Sequence, residues 1–159
     1  MLYTDVNDLA VKELIAQILI LEAMEQKNII LYINSGGGNV TSGFSLINAF
    51  RLIKSPVLTI INGEASSMAA MIAIAGTKRM IMKNSYIMFH DMSGGLDGND
   101  YAEKIIHRAK FIEKYRDLLE EHLREHTKLT KKDLETARHG ELFLSPEEAL
   151  SKGVVDQII

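Results

Sequence analysis

The sequence predicts one α/β domain, residues 1–159, in which parallel strands alternate with helices. Three observations carry that expectation. Two apolar runs of strand length, Asn28–Asn34 (NIILYIN) and Val57–Ile61, are each followed by a glycine-marked loop and then a stretch of helix length. Strands separated by helices imply parallel pairing through right-handed crossovers. A chain of 159 residues, 47% apolar and 25% charged, can bury one real core, and no low-complexity tract or Pro/Gly linker divides it.

Asp8–Gln26 opens the chain as an amphipathic helix, with Leu9, Leu14, Ile15, Ile18, Leu19 and Leu21 at helical spacing. The strand Asn28–Asn34 is broken by Gly36–Gly38. A helix follows over Thr41–Lys54, and Pro56 ends it. Val57–Ile61 is the second strand, closed at Gly63, and Ser66–Ala75 is a helix stopped by Gly76. Lys78–Met82 and Tyr86–Asp91 read as short strands. Asn99–Thr127 reads as a long helix, about 40 Å at 1.5 Å per residue. A compact domain of this size is itself only about 40 Å across, so the helix spans the domain or projects from it. It carries Tyr101, Ile105, Ile112, Leu119 and Leu123 along one side, widened by Ile106, Phe111 and Leu118. If it projects, part of that surface needs a second subunit. Thr130–Asp133 and Ser145–Glu148 read as capped helix starts, and Val154–Ile159 as a last strand.

Composition removes several classes of function. Cysteine is absent, so disulfides, thiolate metal sites and a Cys nucleophile are excluded. A net charge of −3 leaves no electrostatic footprint for nucleic acid. The start, MLYTDVND, lacks the basic and apolar regions of a signal peptide, and the apolar run Met68–Ala75 is too short for a bilayer. A cytoplasmic protein without a membrane partner is the expectation.

Ligands of such folds sit beyond the carboxyl ends of the strands, so the loops 35–38 and 63–67 should face one crevice. The stretch NSGGGN lacks the Lys-Ser/Thr of a phosphate loop, and a GxGxxG count fails at Thr41. It is either a plain tight turn or a loop whose amides hold an oxyanion. Ser66 and Ser67, in NGEASSMAAM, stand where a helix starts. One of them is a helix cap, or a nucleophile next to helix amides that stabilise developing charge, although the GxSxG pattern is absent. A serine needs a base. Only His90 ends an apolar strand; His107, His122 and His126 belong to the long charged helix, and His139 sits among polar residues. His122 and His126, four apart with Glu121 and Glu125 nearby, suggest a helical metal site, but no third ligand is indicated and a solvated charged face is expected. Met68, Met71, Met88 and Met92 either line an adaptable apolar pocket or, for most of them, fill the core.

Together, YINSGGGNVTSG, GEASSMAAM, SYIMFHDMSGG and LFLSPEEALSKGVVDQI resemble the proteolytic subunit of Clp protease, in the family's order and from about residue 9 to the end. The resemblance implies a ClpP/crotonase-like spiral of repeated strand-strand-helix units with a projecting handle helix at about 99–127. It implies a serine endopeptidase that cuts unfolded polypeptides inside a chamber. Ser67 would be the nucleophile, His90 the base and Glu141 the acid, with the amides of Gly38 and Met68 as oxyanion hole and no metal or cofactor. The implied partners are further copies of the chain, in two stacked heptamers, and an AAA+ ATPase unfoldase.

Three departures from the family pattern stand out. Glu141 takes the place of an Asp, Ser35-Gly36-Gly37-Gly38 replaces Ser-Pro-Gly-Gly, and against the family's pattern no axial-loop segment is expected ahead of the first core helix. A catalytically degenerate scaffold subunit and a crotonase-like acyl-CoA enzyme remain the alternatives. The second would share the spiral fold and paired amides without needing the serine.

Overall fold

The computed structural model describes residues 1–92 and 101–159. In chain order it contains α1 (Asp8–Met24), β1 (Ile29–Ser35), α2 (Val40–Leu52), β2 (Val57–Ser66), α3 (Met68–Ile74), β3 (Lys78–Ile81) and β4 (Tyr86–His90). Beyond residue 100 come α4 (Ala102–His126), α5 (Lys131–His139), β5 (Glu141–Leu144), α6 (Pro146–Ser151) and β6 (Gln157–Ile158). The α/β expectation holds, and the strands are mostly parallel.

The sheet is organised around β2. One edge of β2 takes β1 in parallel, Ile29 opposite Val57 through Ile33 opposite Ile61. The other edge takes two partners in succession: β3 along Leu58–Ile61, then β4 along Glu64–Ser66, both parallel. Gly63 was expected to end this strand, and it does not. The register slips there, because Ile33 faces Ile61 while Ser35 faces Ala65. The Asn34 side chain spans the slip, its Oδ1 accepting the Glu64 amide at 3.0 Å, and pairing resumes beyond it. β2 therefore reaches Ser66.

Two other elements differ from expectation. Glu141–Leu144 pairs antiparallel with β4, a strand too short to register as a periodic signal. Of Val154–Ile159, only Gln157 and Ile158 pair with β3; Val154 and Val155 are buried in the core. The start of the chain also has a place that composition did not reveal. Leu2 bridges Ile33 and Val6 bridges Gly38, both in parallel, so the first residues run beside β1 and on to the glycine loop.

Every residue of α3 is buried, which fits a helix apolar on all sides. Helix α4 has two different halves. Its last turns bury Leu119, His122 and Leu123, while Tyr101, Ile106 and Phe111 are 86%, 54% and 52% exposed. It is a projecting handle of about 37 Å; the expected start at Asn99 lies outside the described residues. The solvated-face reading of this helix fails at His122. That ring is 3% exposed and its Nε2 donates to the Met71 carbonyl at 3.0 Å. Burial pushes its pKa down to about 4, against the opposing effect of the Met71 bond.

Helices α5 and α6 start with the capping boxes read from the sequence, Thr130 with Asp133 and Ser145 with Glu148. Asp133 also accepts from Lys152 Nζ at 2.8 Å, tying the two helices together. Burial alone would raise the Asp133 carboxyl, but its bonds from Lys152 and Thr130 outweigh that and hold it at about 2. A depressed carboxylate stabilises the fold above its unfolded pKa, and that contribution is lost as pH falls through the folded value. Asp133→Asn should therefore cost about 1–2 kcal/mol at pH 7, allowing for screening, and the difference from wild type should shrink between about pH 4 and pH 2. Urea unfolding across that range measures it; a difference independent of pH would contradict the linkage.

Candidate active site

Ser67 occupies a strained turn between β2 and α3. Its backbone has φ 55° and ψ −124°, and among the described residues it is the only non-glycine with positive φ. Such a conformation costs about 1–3 kcal/mol and persists only where its surroundings impose it. Here both sides do. The Ser67 amide donates to the Met88 carbonyl on β4 at 2.9 Å, while its carbonyl accepts the amides of Ala70 and Met71 in α3. This is the strand–turn–helix geometry of a nucleophile elbow without the GxSxG sequence. Ser67 stands at the cap position of α3 yet its hydroxyl makes no cap bond, so the capping role does not apply. Ser66 differs: its hydroxyl is buried and donates to Glu64 at 3.3 Å.

The glycine loop meets this turn, as the shared-crevice expectation required. Gly37 has φ +98°, and a Cβ there would lie 2.6 Å from the Ser66 carbonyl oxygen and 2.7 Å from Ser67 Cβ. Glycine is what lets the two loops close together. Gly38, at φ +143°, has the backbone of Val6 against the side where a Cβ would sit. Val6 bonds the residues flanking Gly38: its amide donates to the Gly37 carbonyl at 2.7 Å, and its carbonyl accepts the Asn39 amide at 2.7 Å. In a parallel bridge the central residue's own N–H points the other way. Met68 is the first residue of α3, whose amide has no acceptor within the helix. Two amides thus border Ser67, one from the exposed loop and one from a helix start.

His90 is the last residue of β4, two beyond the Met88 that pairs with Ser66. It shares a cleft with Gly38, Ser67, Met68, Met71 and Met92. Met68, Met71 and Met88 are buried, so core filling accounts for much of them, while Met71 and Met92 also wall the cleft. Glu141, the first residue of β5, lies directly opposite His90 in the antiparallel register. Residues so paired share a sheet face, with Cβ atoms about 4.5–5.5 Å apart. Glu141 is exposed, and among the described residues no hydrogen bond joins His90 to it or to Ser67. Catalytic hydrogen bonds often tighten only when substrate is bound. Asp91 is held by Arg116 at 3.4 Å and by the Met92 amide. His139 is exposed at the end of α5, one residue before the glycine that precedes Glu141, and is not part of the cleft. The small residues after His90, from Ser93 to Gly95, lie outside the described residues.

Sequence reasoning missed three contributors to this site. Met88 acts through its carbonyl and Val6 through its backbone, and neither leaves a side-chain signal. Gly37 left one, as a member of the glycine run, but nothing distinguished it from its neighbours. Metal-ligand side chains among the described residues gather at His122, Glu125 and His126, outside the cleft.

The family profile described as Clp protease matches residues 1–159. The chain is 38% identical to the ATP-dependent Clp protease proteolytic subunit of Deinococcus radiodurans, over 98% of this chain and 77% of that relative.

If the neighbouring Gly38 amide holds an oxyanion, Gly37→Ala should leave the helix content of the chain intact, push the loop off Ser67 and slow its labelling by a fluorophosphonate about 100-fold or more. Gly36→Ala is the control, since its Cβ meets only Glu64 Oε1 at 3.9 Å; its labelling rate should stay within about twofold of wild type. Equal rates for the two variants would show that the close approach at Gly37 does not serve the site.

Proposed function

The chain belongs to the Clp protease family, and on that premise we propose that it is a serine endopeptidase cutting unfolded polypeptides through an acyl-enzyme. The observation that carries the reading is the backbone of Ser67, held at φ 55° beside the amides of Gly38 and Met68 in the cleft that His90 lines. Ser67 Oγ attacks the peptide carbonyl while His90 takes its proton, and the two amides stabilise the oxyanion. His90 then delivers that proton to the leaving amine. Water, deprotonated by His90, attacks the ester and releases the second product. Glu141 orients the imidazole and stabilises its cation, the longer carboxylate reaching across the β4–β5 pair.

The reading extends to assembly. Tyr101 at the cap of α4 and Ile106, Phe111 and Leu118 along it are exposed to solvent, an apolar surface suited to further copies of the chain. Stacked rings enclosing the Ser67 clefts would restrict cleavage to threaded polypeptide, delivered by an ATPase of the kind that the name of the Deinococcus relative implies. Among the described residues no helix is long and apolar enough to cross a membrane; a cytoplasmic location is part of the proposal. The exposure of Glu141 favours one alternative, a scaffold subunit without turnover.

Fluorophosphonate labelling and peptide cleavage separate these readings. Ser67→Ala should lose both with the fold intact, Ser66→Ala should keep both, and Glu141→Gln should slow acylation by about two to four orders of magnitude. Labelling of Ser67→Ala at the wild-type rate would reject the nucleophile; a Glu141→Gln rate within about twofold would remove Glu141 from the triad.

Light scattering at micromolar concentration and low salt should give the mass of two stacked multi-subunit rings. A single ring would reject stacking through α4, and a monomer would reject the assembly altogether.

A further inference from the structure

The last turn of α4 carries three side chains that proteolysis does not use. His122, Glu125 and His126 stand three and four residues apart, so they rise from one helix face. One ligand atom from each lies within 4.8 Å of the others. Glu125 supplies the third ligand that the sequence did not indicate. Both imidazoles are held by hydrogen bonds that also set their protonation. His122 Nε2 donates to the Met71 carbonyl at 3.0 Å, and His126 Nδ1 donates to the His122 carbonyl at 3.0 Å. A carbonyl only accepts, so those nitrogens carry the N–H, and His122 Nδ1 and His126 Nε2 are the ring nitrogens left to face an ion, which binds the neutral imidazoles. Imidazoles that bind metals characteristically donate their other N–H in this way. The rings lie 4.2 Å apart, and Phe44 meets His122 edge-on at 6.5 Å.

We propose that His122, Glu125 and His126 bind a divalent ion of the zinc class, with the fourth position open to water. Two imidazoles and a carboxylate suit zinc; magnesium and calcium prefer oxygen ligands throughout. Tetrahedral bonds of about 2 Å need ligand atoms about 3.3 Å apart, so from within 4.8 Å the set closes by rotation of the exposed Glu125 and small shifts of rings that keep their carbonyl bonds. Two cations border it. Arg79 donates to the His126 carbonyl but is paired with Asp156, and Arg51 on α2 bears on His122. Glu125 is the anion that offsets them. A bound ion would brace the base of the handle behind Met71, whose side chain also lines the Ser67 cleft. The proposal does not depend on the peptidase reading.

Equilibrium dialysis of the full chain against micromolar Zn²⁺, after stripping with chelator, tests it. About one ion per chain should bind, and Co²⁺ in its place should show the visible bands of a tetrahedral complex. Glu125→Gln and His126→Gln should each weaken Zn²⁺ binding about 10-fold or more with circular dichroism unchanged, and His107→Gln should not. Absence of a saturable site in the wild type, or undiminished affinity in either ligand variant, would overturn the assignment.

Discussion

The pairing of the end of β2 with β4 is the constraint on which the site depends. Glu64, Ala65 and Ser66 sit opposite Tyr86, Ile87 and Met88, and the next amide, that of Ser67, closes the ladder on the Met88 carbonyl. The chain must then turn sharply into α3, whose buried first turn takes the Ser67 carbonyl. Between these two anchors Ser67 is left with a backbone that serine does not choose. The same register places His90 two residues past Met88, and the β4–β5 register places Glu141 opposite His90. Three side chains scattered over 75 residues are thus aligned by backbone hydrogen bonds, which are far less adjustable than side-chain rotamers.

The glycine loop beside Ser67 has a separate support. Gly37 and Gly38 both adopt conformations that other residues avoid, and a run of glycines pays a high entropic cost to hold one shape. Val6 meets that cost from outside the loop by clamping both flanks of Gly38. Ser35 adds a second tie, donating its hydroxyl to the Thr4 carbonyl and accepting the Gly37 amide. The first residues of the chain therefore belong to the site although none of their side chains reaches it.

Helix α4 joins the site to an exposed apolar surface. Its inner turns pack Leu119 and Leu123 into the core and border the clefts at His90, while its outer turns remain exposed. Arg116, in the middle, pairs with Asp91 next to His90. His122 belongs to the anchored end, where burial keeps its imidazole neutral and the Met71 carbonyl fixes its orientation.

Much of this was legible in the sequence because it rests on local chemistry. Apolar periodicity located the helices and most strands, the Thr130 and Ser145 boxes announced α5 and α6, and the small residues around Ser67 marked the crowded turn. What the sequence could not determine depends on partners distant in the chain. Gly63 reads as a strand end, but Asn34 bridges the slip there and carries β2 onward. GELFLS is too short to show a period, and it becomes a strand because β4 offers it an edge. His122 reads as one more charged-face residue until α3 covers it. Ser67, His90 and Glu141 were candidates through the resemblance of their motifs; the strain in Ser67, the direction of the Gly38 amide and the pairing of His90 with Glu141 were decided by tertiary hydrogen bonds. Those bonds are made by backbone atoms, which every residue carries, so no residue type in the sequence marks them.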